Sequence, residues 1–368
     1  LNEVDNQAES SRIIGNVFYE TKVVKDLTFY TSYGFNRAFL NKQAFLPSIV
    51  LKGLKENGIA EFQKAETLNQ VFETRLNYKK VFDKHNINAT AVGEFSDNKR
   101  STFTAGAYNF SDQTNGFYDL SSAVLAYFPT NNVVKEKLAS FLGRVNYGYD
   151  KRFNLTASLR ADGSSKFSKN NKWGYFPSLA LGWTLSEESF IKNTNIFDNF
   201  KLRASYGVTG NNQIPAYNEL SLVEPGNYVF GDSYYIGKVP QNIANPNLKW
   251  ETTAQYNVGV DLGFFNNRLT ITAEAYYKKT TDLLLDVQLP PTSGFDKALK
   301  NIGSFSNKGF ELTVNSVNID HSDFKWRSDF TFSFNRNEVL NLGDKSDFYF
   351  DAKIFPSKFN NEILVRVG

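Results

Sequence analysis

Bulky apolar side chains occupy every second position in several segments of the chain, and polar side chains fill the positions between them. The clearest case is residues 144–167, RVNYGYDKRFNLTASLRADGSSKF, where two alternating segments flank a short polar turn. Alternation of this kind predicts β-strands with one apolar and one polar face. It recurs in SFLGRVNYGY, RFNLTASLRAD, KWGYFPSLALGWTL, KLRASYGV, AQYNVGVDLGFF, RLTITAEAYY, GFELTVN and FKWRSDFTFSFN. We therefore predict an all-β protein.

The number and length of these segments favour a membrane-crossing barrel. Weaker alternation in the first third of the chain predicts four more strands, at 12–22, 27–37, 70–81 and 86–96. The total is roughly twelve strands of about ten residues each, the length that a tilted strand needs to cross a bilayer. Strands of soluble globular proteins average about five or six residues.

Short and long connections alternate along the chain. We expect short turns at 23–26, 82–85, 150–151, 265–267 and 320–322, and long loops at 38–69, 97–138, 163–172, 210–251 and 282–308. Residues 186–200, SEESFIKNTNIFDNF, form a connection of intermediate length in the short series. Short turns at one end and long loops at the other are typical of an outer-membrane barrel with periplasmic turns and extracellular loops.

The alternation alone leaves two environments open for each face. In a soluble sandwich the apolar side chains pack in the core, whereas in a barrel they face lipid. The charged side chains of the other face contact solvent in the first case and line the lumen in the second; they are Arg144, Arg160, Arg203, Asp261, Glu274, Glu311, Arg327 and Asp329. Strand length and loop asymmetry favour the barrel.

Composition excludes several classes of function. The net charge is only +3 over 368 residues, so nothing indicates a nucleic-acid partner. The absence of Cys excludes a disulfide framework, a cysteine zinc cluster and a thiol nucleophile. No apolar stretch is long enough to predict a transmembrane helix.

The sequence carries no catalytic signature, and we expect neither enzymatic activity nor a cofactor or metal. The nucleophile-elbow, P-loop and HExxH motifs are all missing. The only two histidines, His85 and His321, fall in predicted turns. Solvated turn residues explain them better than metal ligands or general bases. A hydrolase embedded in the barrel would require such a base.

The long loops supply candidate binding residues. Residues 210–251 are rich in Asn, Tyr, Gly and Pro, and aromatic rings combined with amides suit recognition of carbohydrates or peptides. An ordinary ordered surface loop explains this composition equally well. The candidate contacts with substrate or partner are Arg144, Arg160, Arg203, Asn211, Asn212, Tyr217, Tyr228, Tyr234 and Tyr235.

Several longer stretches match those of a known family. They are GRVNYGYDKRFNLTASLRADGSSKFSKNNKWGYFPSLALGWTLSEESF, LRASYGVTGNNQIPAY, NPNLKWETTAQYNVGVDLGFFNNRLTITAEAYYKKTTDLLL, PPTSGF, NIGSFSNKGFEL and the final NEILVRVG. Residues 140–342 closely resemble the barrel of the SusC/RagA family of TonB-linked (TonB-dependent) outer-membrane proteins of Bacteroidetes. Residues 1–138 resemble the family in the arrangement of strands and loops more than in amino-acid sequence.

The resemblance implies a transmembrane antiparallel β-barrel of 22 strands, filled by an N-terminal plug. It also implies energy from the TonB-ExbB-ExbD complex through a TonB box, a SusD-like lipoprotein lid, and import of oligosaccharides or peptides. We expect residues 1–368 to be a partial β-barrel domain in the outer membrane, surrounded by lipid and without plug, TonB box and last strands. A soluble β-rich carbohydrate-binding module is the alternative function.

Overall fold

The computed structural model describes residues 4–343, 347–350 and 363–368. Strands account for 71% of the structure. The strands are β1 (Asp5–Val24), β2 (Leu27–Leu46), β3 (Ile59–Phe82), β4 (His85–Phe110), β5 (Ala123–Tyr149), β6 (Phe153–Ser164), β7 (Trp173–Thr184), β8 (Asn199–Asn211), β9 (Val223–Phe230), β10 (Ser233–Pro240), β11 (Glu251–Phe264), β12 (Leu269–Thr281), β13 (Leu284–Gln288), β14 (Lys297–Asn301), β15 (Ser304–Asp320), β16 (Lys325–Asn341), β17 (Asp347–Phe350) and β18 (Ile363–Arg366).

Twelve strands form one large antiparallel sheet, as the alternation predicts. Their order is β1-β2-β3-β4-β5-β6-β7-β8-β11-β12-β15-β16, so neighbours in the sheet follow one another along the chain. The pairs β9–β10, β13–β14 and β17–β18 form separate two-stranded sheets. The first two of these pairs are insertions into the long connections between strands of the main sheet.

Helices are short and lie between strands. The α-helices are α1 (Leu51–Lys55) and α2 (Ser189–Lys192), and 3₁₀ turns span Gly116–Tyr118, Leu120–Ser122, Leu185–Glu187 and Pro291–Ser293. The intermediate connection predicted at 186–200 contains α2 and most of one 3₁₀ turn. Across the described residues, no helix combines the length and apolarity that crossing a membrane requires.

Strand register arranges the alternating side chains in rows across the sheet. One row joins Leu155, Leu181, Ala204, Val258, Ala275, Phe310 and Phe334, and we call its side the apolar face. The adjacent row joins Asn154, Gly182, Arg203, Gly259, Glu274, Glu311 and Ser333 on the polar face. Val258 and Phe334 are 59% and 58% exposed, so the chain does not cover its own apolar face.

The predicted short turns are confirmed, with shifts of one or two residues at their ends. Residues 25–26, 83–84, 150–152, 265–268 and 321–324 connect the strands there. Several turn residues adopt the left-handed backbone conformation that reverses a chain tightly, among them Asp150 with φ 52° and Lys151 with φ 58°.

Two of the predicted long loops are wrong in extent. The stretches 38–69 and 97–138 are largely strand, because β2, β3, β4 and β5 continue well beyond the alternating segments. β5 has 27 residues rather than about ten. In its first half nearly all side chains are exposed, and apolar and polar residues do not alternate there, so the period of two is absent. Backbone hydrogen bonds to neighbouring strands still maintain extended structure there.

The chain divides into two compact units. The first contains Leu1–Thr21, Tyr30–Thr74 and Glu94–Ala139. Its small core consists of Phe45, Ala60, Ala107, Phe110 and Phe117. The rings of Phe45 and Phe110 meet edge to face with centroids 5.3 Å apart, a favourable aromatic geometry.

The second unit contains Lys22–Phe29, Arg75–Gly93 and Ser140–Gly368. Its buried side chains include Phe167, Leu248 and Trp250, which lie in the connections between strands. The candidate residues predicted from the sequence all belong to this unit.

Candidate functional site

A hydrogen-bonded cluster on the polar face centres on Arg203 of β8. The guanidinium donates to both carboxylate oxygens of Asp261, from Nε at 2.8 Å and from Nη2 at 3.2 Å. It also contacts Glu274 Oε2 at 3.5 Å. Arg203 pairs in register with Gly259, and Gly259 pairs with Glu274. A Cβ on Gly259 would lie 3.0 Å from Arg203 Nη2, so the glycine leaves room for the guanidinium to reach both acids.

Neutral side chains extend this cluster. Asn257 donates to Glu274 Oε1 at 2.6 Å, Gln255 donates to Asn257 at 2.8 Å, and Thr272 donates to Asp261 at 3.2 Å. A cavity of about 230 Å³ adjoins the cluster, and its polar lining includes Asn154, Thr156, Lys201, Arg203, Ser205 and Asn257. Donors and acceptors of this kind can hydrogen-bond a polar ligand or another polar protein surface.

The other two predicted arginines lie apart from Arg203 on different strands. Arg160 of β6 forms an ion pair with Asp162 on the same strand, with Nε 2.8 Å from Oδ2. Asp162 is 7% exposed, and its other carboxylate oxygen accepts no hydrogen bond from the described residues. Arg144 lies exposed on β5. The structure therefore distributes the arginines along the sheet and does not gather them in one site.

The two predicted asparagines tie the end of β8 to neighbouring segments. Asn211 donates to Glu251 Oε1 at 3.2 Å, and the two residues are partners in register between β8 and β11. Asn212 donates to Ser164 Oγ at 3.1 Å. Ser164 is almost fully buried at the end of β6. Both amides thus join strand ends at the long-loop side of the sheet.

A buried aromatic cluster lies beside these asparagines. The ring of Trp250 is 5.4 Å from those of both Phe167 and Phe176, and its indole N–H donates to Lys172 O at 3.0 Å. Phe176 lies directly over Gly210: a Cβ there would be 2.1 Å from its Cζ. Glycine at position 210 is what allows the ring to pack against β8.

The segment before β11 is held from two sides. Ser168 Oγ and Asn171 Nδ2 donate to Pro246 O. On the other side, Asn301 of β14 donates to Lys249 O at 2.8 Å and accepts from Lys249 N at 2.9 Å. The long connections 165–172, 212–250 and 282–303 therefore form one hydrogen-bonded assembly.

Three of the four predicted tyrosines of the 210–251 connection lie on the β9–β10 hairpin. Tyr228 and Tyr235 are partners in register and share one face with Phe230, whose ring is 5.9 Å from that of Tyr235. Tyr234 pairs with Val229 and lies on the opposite face. All of these residues are exposed, with Val229 and Phe230 at 70% and 69%. The hairpin therefore presents apolar side chains on both faces.

Tyr217 lies in the connection between β8 and β9. Its backbone is left-handed, with φ 71°, and its carbonyl accepts from Leu220 N at 2.9 Å. This conformation is uncommon for a residue with a bulky side chain. Tyr217 therefore lies at a turn of the chain, apart from the β9–β10 hairpin.

Sequence reasoning missed the aromatic cluster and Phe230. The stretches NPNLKWE and KWGYFPS resemble the family, but their pattern predicts only strands and connections and no contact between their aromatic side chains. Only the folded chain shows that Phe167, Phe176 and Trp250 pack together. In the described part of the chain, no group of three His, Cys, Asp or Glu residues is arranged to hold a metal ion.

Comparison with known proteins identifies the family. The family described as "TonB dependent receptor-like, beta-barrel" matches residues 8–359. The chain belongs to this family. The receptor chain is 35% identical over 367 residues to TonB-dependent receptor SusC of Bacteroides thetaiotaomicron, covering 97% of this chain and 36% of that protein. It is 36% identical over 337 residues to TonB-dependent receptor P3 of Formosa agariphila, covering 92% of this chain and 34% of that protein.

Solved structures agree with this assignment. The structure of the RagAB peptide transporter superimposes with a TM-score of 0.86 at 26% identity, over 100% of this chain and 40% of that chain. The ferric-catecholate receptor Fiu of E. coli K12 matches with a TM-score of 0.54 at 11% identity, over 92% and 49% of the two chains, which shows the shared fold alone. The SusC/RagA resemblance and the barrel fold are confirmed, and the chain is an outer-membrane protein.

The receptor chain spans about a third of the length of the curated relatives that it matches, 34% of P3 and 36% of SusC.

Proposed function

We propose that this chain forms part of the wall and mouth of an outer-membrane, TonB-dependent importer for oligosaccharides or peptides. The main observation that supports this proposal is the difference between the two faces of the sheet. One face is apolar and uncovered, and the opposite face is polar with charges that pair with one another. Lipid accounts for the first face and a lumen for the second. A soluble module would not leave an apolar face of this extent exposed to water.

Binding partners of this importer follow from its relatives. The similarity to SusC and RagAB supports a SusD-like lipoprotein at the extracellular side, and RagAB is itself a peptide transporter. Energy would come from the TonB-ExbB-ExbD complex, which is typical of the family. Residues 1–368 would then be one part of a larger barrel domain, which closes the sheet edges that lipid does not tolerate.

Seven of the nine candidate residues take one of three roles in this proposal. Arg144, Arg160 and Arg203 belong to the lumen wall, Asn211 and Asn212 hold the mouth together, and Tyr228 and Tyr235 with Phe230 form a platform for substrate or partner. Tyr217 and Tyr234 lie outside that platform. Function here consists of binding and passage, without covalent chemistry.

Uptake by cells that carry the full-length receptor tests the proposal. Labelled oligosaccharides and peptides of graded length are offered to wild-type cells and to cells lacking the receptor gene. We expect receptor-dependent uptake of one of these classes that stops when TonB is removed. Equal uptake with and without the receptor for every probe would contradict the import function.

Membrane integration is tested separately by heat-modifiability. An intact barrel in detergent migrates differently on a gel before and after boiling. A full-length product that is soluble without detergent would support the carbohydrate-binding module instead.

A further inference from the structure

A groove of about 530 Å³ lies in the second unit, on strands β2 to β6. Its lining comprises Leu27, Leu76, Tyr78, Ala89, Ala91, Gly143, Val145, Ala157 and Leu159, together with Thr90, Arg144 and Ser158, which alternate with them along the strands. The surface of the groove is overwhelmingly apolar, whereas the opposite face of the same strands carries polar side chains.

Two hydrogen bonds place the groove on the apolar face. Thr90 donates to Asn77 at 3.0 Å, and Thr156 donates to Asn146 at 2.8 Å, on the polar face of each strand pair. Side chains alternate along a strand. The neighbours of these residues, including Tyr78, Ala89, Val145 and Ala157, therefore point to the opposite face, where lipid surrounds an outer-membrane barrel.

The groove owes its shape to small residues between large ones. Ala89, Ala91, Gly143 and Ala157 line it together with the larger side chains Leu76, Tyr78, Val145 and Leu159. A Cβ built on Gly143 meets no atom within 4 Å. At roughly 30 Å³ per heavy atom with its hydrogens, the volume accommodates on the order of fifteen carbon atoms.

The position of the groove along the strands indicates which leaflet of the membrane it faces. Val145 lies five residues before the short turn at Asp150, which corresponds to about 12 Å along the membrane normal for a tilted strand. The groove therefore begins in the half of the bilayer next to the short, periplasmic turns. Phospholipids occupy that leaflet, whereas lipopolysaccharide occupies the outer one.

A cation lies on the same face between the groove and the turn. Lys80 shares the alternation of Leu76 and Tyr78 on β3, so its side chain leaves the apolar face at the turn end of the groove. Its ammonium lies 5.9 Å from the ring of Phe82. His85 and Tyr147 follow on the neighbouring strands, with His85 Nδ1 2.8 Å from the Tyr147 hydroxyl. This arrangement joins an apolar groove to a polar, cationic end at the level of lipid phosphates.

We propose that the groove binds one acyl chain of a phospholipid from the periplasmic leaflet, with the lipid phosphate at Lys80. The site is a defined lipid-binding site on the barrel exterior, distinct from the passing contacts of bulk lipid. The proposal depends on the membrane location of the receptor and not on what it imports.

Groove filling gives the first test. Full-length receptor is delipidated in detergent and titrated with 1-palmitoyl-2-oleoyl phosphatidylethanolamine, and bound lipids are counted by native mass spectrometry. We expect Gly143→Leu to weaken the tightest binding event by about tenfold or more, since the new side chain takes the place of the acyl chain. Ala275→Leu makes a similar change on the same face of β12, outside the groove, and should leave that event unchanged.

The phosphate contact has its own matched pair of variants. Lys80→Gln should weaken the same binding event about fivefold, and Lys79→Gln, one residue away on the opposite face, should not. Equal binding by wild type and Gly143→Leu would overturn the proposal. So would a loss of lipopolysaccharide binding in Gly143→Leu with phosphatidylethanolamine binding intact.

A measurement on the unmodified receptor covers the case in which the filling variants fail to fold. Phosphatidylethanolamine with a photoreactive group on its acyl chain is cross-linked in bilayers, and the modified peptides are mapped. We expect cross-links to concentrate at Leu76, Tyr78 and Leu159. An even spread of cross-links over the apolar face, with Val258 and Phe330 labelled as strongly as the groove residues, would show ordinary solvation by lipid and would contradict the proposal.

Discussion

Arg203 and Asp261 lie 58 positions apart in the sequence and form a bidentate ion pair on the polar face, with N–O distances of 2.8 and 3.2 Å. Their side chains are 35% and 24% exposed, so water only partly screens the pair. Asp261 also accepts from Thr272, and Arg203 reaches a second carboxylate. The pair therefore joins three neighbouring strands of the sheet.

Replacing Arg203 with Met should destabilise the barrel. The change leaves two carboxylates without their cation, and we expect a loss of about 1–2 kcal/mol in the free energy of unfolding. Urea unfolding of the receptor in detergent measures it. Lys297→Met removes a cation from the exposed pair with Asp286 and should cost well under about 1 kcal/mol. Equal losses in the two variants would contradict the structural role of Arg203.

Arginine substitutions distinguish the two faces of β6. Leu159→Arg should impair barrel assembly, because a lipid-facing arginine costs about 2–4 kcal/mol near the bilayer midplane. Ser158→Arg places the same side chain on the polar face, where Ser158 now contacts Ser178 at 2.7 Å, and should be tolerated. Heat-modifiability of each variant is the measurement. Similar amounts of folded barrel in both variants would refute the assignment of faces.

Glycine at position 210 should be required for the ordered mouth of the barrel. In Gly210→Ala the new Cβ would overlap the ring of Phe176, so we expect a loss of about 1–3 kcal/mol from overpacking. Cleavage of residues 164–172 by a protease should become faster. Gly207→Ala on the same strand is the control, since its Cβ would lie 3.5 Å from Ser178 Cβ, an ordinary contact. An unchanged cleavage rate in Gly210→Ala would contradict the role of the aromatic cluster in ordering this end of the barrel.

The loop between β4 and β5 should open in acid. Hydrogen bonds from the Ser121 and Ser122 hydroxyls hold the pKa of Asp119 below its ordinary value near 3.8. A lowered pKa stabilises the folded loop above the ordinary value, and this contribution is lost as the pH falls through the folded pKa. Pepsin should therefore cleave residues 111–122 increasingly fast from about pH 4 downward.

Asp119→Asn separates this titration from others in the same loop. Its cleavage should already be faster at pH 5 and should change less on acidification, with the remaining change due to Asp112, whose pKa Thr114 lowers in the same way. A wild-type loop that resists pepsin equally at pH 5 and pH 2.5 would contradict the role of Asp119.

Alanine substitutions can distinguish the aromatic platform from the opposite face of the β9–β10 hairpin. Tyr228→Ala and Tyr235→Ala each remove a ring from the face shared with Phe230, and each should weaken capture of substrate or partner several-fold by lost stacking. Tyr234→Ala changes the opposite face and is the matched control. Binding to the full-length receptor by calorimetry is the measurement, and an equal effect of all three changes would show that no single face is used.

Alternation was sufficient to predict the strands that cross the membrane. Leu155, Leu159 and Leu181 recur at the period of two because one side of each strand faces lipid. The same reasoning failed for residues 97–138, where β4 and β5 continue as strands without a regular alternation of apolar and polar residues. Backbone pairing with neighbours determines the strands there, and it leaves no periodic signal in side-chain type.

The sequence by itself determined the fold class, the apolar and polar faces of the crossing strands, and the family, because each rests on local periodicity or on contiguous motifs. Only the tertiary structure decided that Arg203 meets Asp261 and Glu274, that Phe176 packs over Gly210, and that Tyr228 and Tyr235 share a face while Tyr234 does not. The first two contacts depend on the register between strands distant in sequence, and the third depends on the register within the β9–β10 hairpin. Register is set by the hydrogen bonding and packing of the whole sheet, which no single segment encodes.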